Sequence, residues 1–187
     1  SGWNWYWKNR YPGRKTPPYR ILRREKQYMK ISIEYIDGTK GDYNRGLGPN
    51  KEVVQETILQ YCKIWPDSCR GLAPLHGDLS IDNIIRNRSG IHIVDWEHFH
   101  LRGAPWGFDA LYLLFESIWF SMNKRGCFTD DEIAILGNCL TELNKDGRMS
   151  REMRNAPLEF VINYFRRNTR LWGGQIKLFP GKFPVLT

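Results

Sequence analysis

Apolar positions recur with a strand period near residue 30, with a helix period near residue 55, and almost without interruption near residue 115. Over residues 30–36, Ile31, Ile33 and Tyr35 alternate with polar neighbours, the two-residue repeat of a half-buried strand. Asp37-Gly38 ends it as a turn, and residues 21–24 form a second candidate strand before it. The Gly- and Asn-rich stretch 37–50 reads as a long loop, in which Gly46-Leu47-Gly48 is too small a fragment to serve as a phosphate cradle. A helix is predicted over 51–63, with Pro49 before it and Val54, Ile58, Leu59 and Cys62 along one face. Short extended pieces follow at 75–79, 83–86 and 91–95, the last two separated by a turn at 87–90.

The remainder reads as helical. Residues 108–122 are apolar nearly all round, as a buried core helix requires. Thr129 and Glu132 form a capping box for a helix reaching about residue 144. A further helix runs from Pro157 to about residue 171, with Arg166, Arg167 and Arg170 near the end where cations favour the helix dipole.

Composition adds a class and a charge asymmetry. With 187 residues, 41% hydrophobic and 26% charged, the chain can bury one core of ordinary size. No apolar run approaches the roughly 18–20 residues of a membrane span. The opening SGWNWYWKNR lacks the apolar core of a signal peptide, and with no zinc spacing its four cysteines read as reduced thiols. A cytoplasmic location is therefore expected, although the spacing of Cys62 and Cys69 would permit a bridge.

The net charge of +8 equals the excess in residues 1–30 alone, where nine Lys or Arg face only Glu25. That segment interleaves aromatics and cations, which can stack on bases, lie on an anionic membrane or pack on a domain. An extended arm packing its aromatics on the domain is the expectation, and nucleic-acid binding through residues 1–30 is the least favoured of these roles.

Residues 75–97, LHGDLSIDNIIRNRSGIHIVDWE, carry the candidate chemistry. A His-x-Asp places Asp78 two residues after His76, Asn83 follows five residues later, and Asp95 twelve beyond that. Phosphoryl transfer needs a carboxylate to orient a hydroxyl, and an amide plus a carboxylate to hold Mg2+. Asp78 fits the first role, while Asn83 and Asp95 offer the oxygen ligands that a hard cation prefers. Glu97, two residues past Asp95, would share its side if the strand continued. It could touch metal-bound water or form a charge pair. His92, His98 and His100 have the odd spacing of surface or loop positions rather than of a transition-metal site.

HGDLSIDNII followed by IVDWE resembles the catalytic segment of the aminoglycoside phosphotransferase and choline kinase-like family, which shares the protein-kinase fold. The following WGFDAL matches the Asp-bearing helix of that pattern, and the resemblance covers about residues 31–122. It implies an α+β fold: a protein-kinase-like C-terminal lobe, mostly helical, with short β-hairpin elements at the catalytic and metal loops. His76 would brace the loop, Asp109 would hydrogen-bond it, and Glu34, Tyr35 and Ile36 of the hinge strand would meet the adenine of ATP. Residues 1–30 would be a basic aromatic arm or a remnant of the small lobe, and 31–187 the large lobe.

A complete enzyme of this kind carries a Gly-rich loop, a strand Lys and a helix Glu before the hinge. None of these is found before Ile31, so the small lobe is expected to be reduced, absent or supplied by a partner chain. The implied function is an ATP- and Mg2+-dependent phosphotransferase acting on a small-molecule hydroxyl, such as a sugar, a cell-envelope saccharide or an amino alcohol. The alternative is a non-catalytic kinase-like module that binds nucleotide or a partner.

Overall fold

The computed structural model describes residues 2–12, 19–24, 29–33, 36–42, 45–67 and 71–168. The chain is mixed α+β, predominantly helical with three small antiparallel sheets among the described residues. Strands β1 (Tyr19–Arg24) and β2 (Met29–Ile33) form a hairpin in which Ile21 faces Ile31, with an irregularity before Arg23. Glu34 and Tyr35, two of the three expected adenine contacts, lie outside the described residues, while Ile36 is partly buried.

The first departure from expectation is at the start. Residues Gly2–Arg10 form helix α1 rather than an extended arm. No proline interrupts them before Pro12, and Lys8 and Arg10 stand in the last turn, where cations suit the helix dipole. The packing expectation holds: Tyr6 and Trp7 are buried, and the Trp5 ring lies 4.9 Å from that of Trp65.

Within 37–50, Thr39–Lys40 is a short edge strand, β3, paired antiparallel to Ile85 and Arg86. Asn50 ties the rest of this loop down. Its Nδ2 donates to the carbonyls of Asp42 and Gly46, both at 2.7 Å, and its Oδ1 accepts from Asp42 N at 3.2 Å. Helix α2 (Lys51–Ile64) then buries Val54, Thr57, Ile58 and Tyr61. That is the i, i+3, i+4, i+7 stripe of an amphipathic helix, and it corrects the expected face: Leu59 is 43% exposed.

Strand β4 (Ala73–Leu75) pairs with β7 (His100–Ala104), which was not anticipated. Between them, β5 (Ile84–Asn87) and β6 (Gly90–Ile93) form the expected hairpin, and a single 3-10 turn, Ile81–Asn83, leads into β5. Helix α3 (Phe108–Arg125) buries Phe108, Ala110, Leu111, Leu113, Leu114, Phe115 and Ile118 in the core, in agreement with its all-round apolar sequence.

Helix α4 (Asp130–Asn144) starts at the predicted capping box, with Thr129 Oγ1 accepting from Glu132 N and Glu132 Oε2 accepting from Thr129 N. A five-residue helix α5 (Arg151–Asn155), capped by Ser150, precedes α6 (Pro157–Arg167). The last helix ends at Arg167, short of the expected 171; Arg170 lies outside the described residues. Cys62, Cys127 and Cys139 are free thiols, so the bridge from Cys62 is not formed, and Cys69 is not among the described residues. No helix among the described residues is long and apolar enough to cross a membrane.

Candidate active site

The segment between β4 and β5 leaves the sheet at Leu75 and turns sharply at Gly77, whose φ is 89°. An added Cβ there would lie 2.7 Å from both the Cβ and the carbonyl oxygen of His98. Only glycine meets both the left-handed backbone and the close approach.

The backbone donors of this loop are nearly all accounted for, as buried amides require. His76 N and Gly77 N donate to the two carboxylate oxygens of Asp109 on α3, at 2.7 and 3.1 Å. Asp78 N donates to Nδ1 of the fully buried His76 at 3.2 Å. That leaves the proton on His76 Nε2, which donates to Val94 O at 2.9 Å. Burial holds the imidazole neutral by lowering its pKa to about 4. Ser80 N donates to Asp78 O, Asn83 N to Ser80 O, and Ile81 N to Glu116 Oε2 at 3.1 Å.

The two residues expected at the chemical step meet directly. Asn83 Nδ2 donates to Asp78 Oδ2 at 3.0 Å and to Asp78 O at 2.9 Å. Asp78 is partly exposed, and burial raises its pKa, opposed by the Asn83 hydrogen bond and by His98 and reinforced by Asp95 and Glu97 nearby. With Oδ2 engaged by the amide, Oδ1 is the oxygen left to meet an acceptor.

Asp95 reaches the site by a different backbone from the one the alternation implied. Strand β6 ends at Ile93, and Asp95 is the one described non-glycine residue with positive φ, at 61°. The strand argument for Glu97 therefore fails: Glu97 is exposed beside His98, with Oε1 to Nε2 at 3.3 Å. Val94 N donates to Asn83 O at 2.9 Å, so one residue ties the Asn83 and Asp95 segments together while its carbonyl holds His76. His92 is also corrected, being buried on β6 and bonded to Ser89 Oγ and Asn87 Oδ1 at 2.8 and 3.1 Å.

Both donor bonds of the Asn83 amide nitrogen go to Asp78, so its Oδ1 stays outside them, and with the exposed Asp95 carboxylate it is the oxygen that could hold a hard cation. Among the described residues, no three His, Cys, Asp or Glu side chains converge as a metal site. An amide and one carboxylate suit Mg2+, which keeps its waters and takes remaining ligands from substrate phosphates.

Sequence reasoning missed Glu116 and Tyr6. Glu116 on α3 is partly buried, and burial together with Asp78 and Asp82 pushes its carboxyl up to about 8. Its signal was a lone acid in an apolar run, seven residues after Asp109 and so on the same helix face. The Tyr6 hydroxyl accepts from Ile93 N at 3.1 Å and from Gln60 Nε2 at 2.9 Å, two residues before Asp95.

Protein-family models, curated proteins and solved structures give no match to this chain.

Proposed function

We propose that this chain is the large lobe of an ATP- and Mg2+-dependent phosphotransferase that moves the γ-phosphate to a hydroxyl of a small molecule. The observation that carries the reading is the Asp78–Asn83 pair, held in a loop whose amides are clamped by Asp109. A surface turn that merely used Asp and Asn as caps would not need a buried neutral histidine and a buried carboxylate beneath it.

Asp78 orients the acceptor hydroxyl and takes its proton through Oδ1 as the oxygen attacks phosphorus. Its raised pKa moves it toward the range useful for a general base. Asn83 fixes Oδ2, so the base does not rotate away. Asn83 Oδ1 and Asp95 would hold Mg2+, and the ion would supply charge neutralisation for the nucleotide phosphates. Glu34, Tyr35 and Ile36 are the proposed adenine edge. A sugar, cell-envelope saccharide or amino alcohol fits a lobe whose net charge outside residues 1–30 is zero.

A second reading, a nucleotide- or partner-binding module without turnover, is favoured by one observation. Residues 2–10, in the region where no Gly-rich loop or strand Lys is found, form α1, whose Tyr6 bonds to α2 and β6. Transfer of labelled γ-phosphate from Mg-ATP to a panel of hexoses and amino alcohols separates the two. Asp78→Asn is expected to reduce transfer about 10²–10⁴-fold, while calorimetry shows Mg-ATP binding retained. Undiminished transfer in that variant sinks the phosphotransferase reading, and binding without transfer in the unaltered chain favours the module.

A further inference from the structure

The clamp on the catalytic loop has a second half. Asp109 holds the amides of residues 76 and 77, and Glu116, two helical turns along α3, holds the amide of Ile81. Ile81 opens the 3-10 turn Ile81–Asn83, and that turn delivers the Asn83 amide to Asp78. We propose that Glu116 is a positioning residue of the candidate phosphotransfer site, setting through Ile81 where Asn83 meets Asp78. This rests on the phosphotransferase reading above and deepens it.

The residue is out of place for packing alone. Its neighbours on α3 from Leu113 to Trp119 are all buried, and the Ser117 hydroxyl among them is satisfied within the helix by Leu113 O at 2.6 Å. A carboxylate in such surroundings is costly unless it is paired. The charges that act on Glu116 are Asp78 and Asp82, both acidic, so its stabilising contact is the Ile81 N–H. Without that acceptor the Ile81 donor would be orphaned beside the buried Ile81 side chain, and the turn would be free to seek another geometry. Asn83 would then lose its register against Asp78.

What holds the Ile81 amide is the acceptor oxygen of Glu116, not its charge. Glu116→Gln keeps an oxygen in place, whereas Glu116→Leu keeps the volume and removes it. The measurement is phosphate release from Mg-ATP, with kcat and KM for ATP determined separately beside the melting temperature of each variant. Glu116→Leu is expected to lower kcat about 10–100-fold, the scale of a misplaced catalytic group, with KM for ATP changed less than about 3-fold. Glu116→Gln is expected to recover kcat to within about 3-fold of the unaltered chain. Should the Leu variant fail to fold, Glu116→Asp withdraws the oxygen by one methylene and is expected to lose kcat in the same way. Unaltered kcat in the Leu variant, or in Asp where Leu does not fold, overturns the proposal, as does a Gln variant as impaired as Leu or Asp. An unaltered chain without Asp78-dependent release overturns the phosphotransferase reading and this proposal together, and that loss is visible before any change at Glu116.

Discussion

Asp95 stands at φ 61°, a region that costs most L-residues about 1–2 kcal/mol and that Asp tolerates better than most. Strain of this kind persists where surrounding contacts over-determine it, and here the neighbouring residue Val94 is fixed through its N–H by Asn83 and through its carbonyl by His76. The residue can therefore be separated into backbone and side-chain roles. Asp95→Gly relieves the backbone and removes the ligand, so its stability should stay within about 1 kcal/mol of the unaltered chain while Mg2+-dependent transfer is lost. Asp95→Val, β-branched, should cost more than about 1–2 kcal/mol in urea denaturation. Equal stabilities for the two variants would show that the left-handed backbone is not retained. Of this, the sequence disclosed the residue but not its conformation. The spacing of His76, Asp78, Asn83 and Asp95 is a chemical signature independent of backbone detail. The alternation of residues 91–95 concealed the point at which the strand stops.

Helix α3 shows what an element-level pattern reveals and hides. Its continuous apolar run correctly marked a core helix, and the Thr129–Glu132 box correctly marked the start of α4, because both signals are local. The short helix α5 and strand β7 have no comparable periodicity; β7 exists because β4 pairs with it. The same apolar run masked Glu116 as an isolated exception. Its two carboxyls carry a pH dependence of definite sign. Asp109 is pushed up to about 7, chiefly by burial, and Glu116 to about 8. The folded state thus keeps protons that the unfolded chain has released. The stabilisation is complete below the unfolded values near 4 and is lost as pH rises through 7 and 8. His76 acts oppositely, its contribution being complete above 6.5 and lost as pH falls toward 4. Between pH 6.5 and 8 only the carboxyl effect remains among these three. Metal-free protein should lose stability across that interval, by at most about 1.4 kcal/mol per pH unit for each proton. Glu116→Gln should flatten the upper part of the curve; the same slope in that variant would remove Glu116 as its source.

At the scale of the whole molecule, α1 packs into the same core as the later helices and is not an appendage. The Trp96 ring lies 5.0 Å from Tyr6, 5.8 Å from Trp65 and 4.4 Å from His76, so one aromatic cluster joins the first helix to both candidate loops. The sequence showed the aromatics of this segment and their tendency to pack, but not that they pack as a helix. A helix of Trp, Asn and Tyr has weak intrinsic preference and owes its form to tertiary contact. The Tyr6 hydroxyl tests this directly. It accepts from Ile93 N and Gln60 Nε2 in a buried position, and burial raises its pKa to about 12 so that it stays protonated. Tyr6→Phe keeps the ring on Trp96 but leaves the Ile93 donor unpaired beside the Asp95 segment. An orphaned buried donor costs about 1–3 kcal/mol. Urea denaturation followed by tryptophan emission should therefore show Tyr6→Phe less stable by that amount, with an unchanged denaturant slope. A loss under about 0.5 kcal/mol would mean that Ile93 finds its partner elsewhere and that α1 packs on the core without holding the Asp95 segment in place.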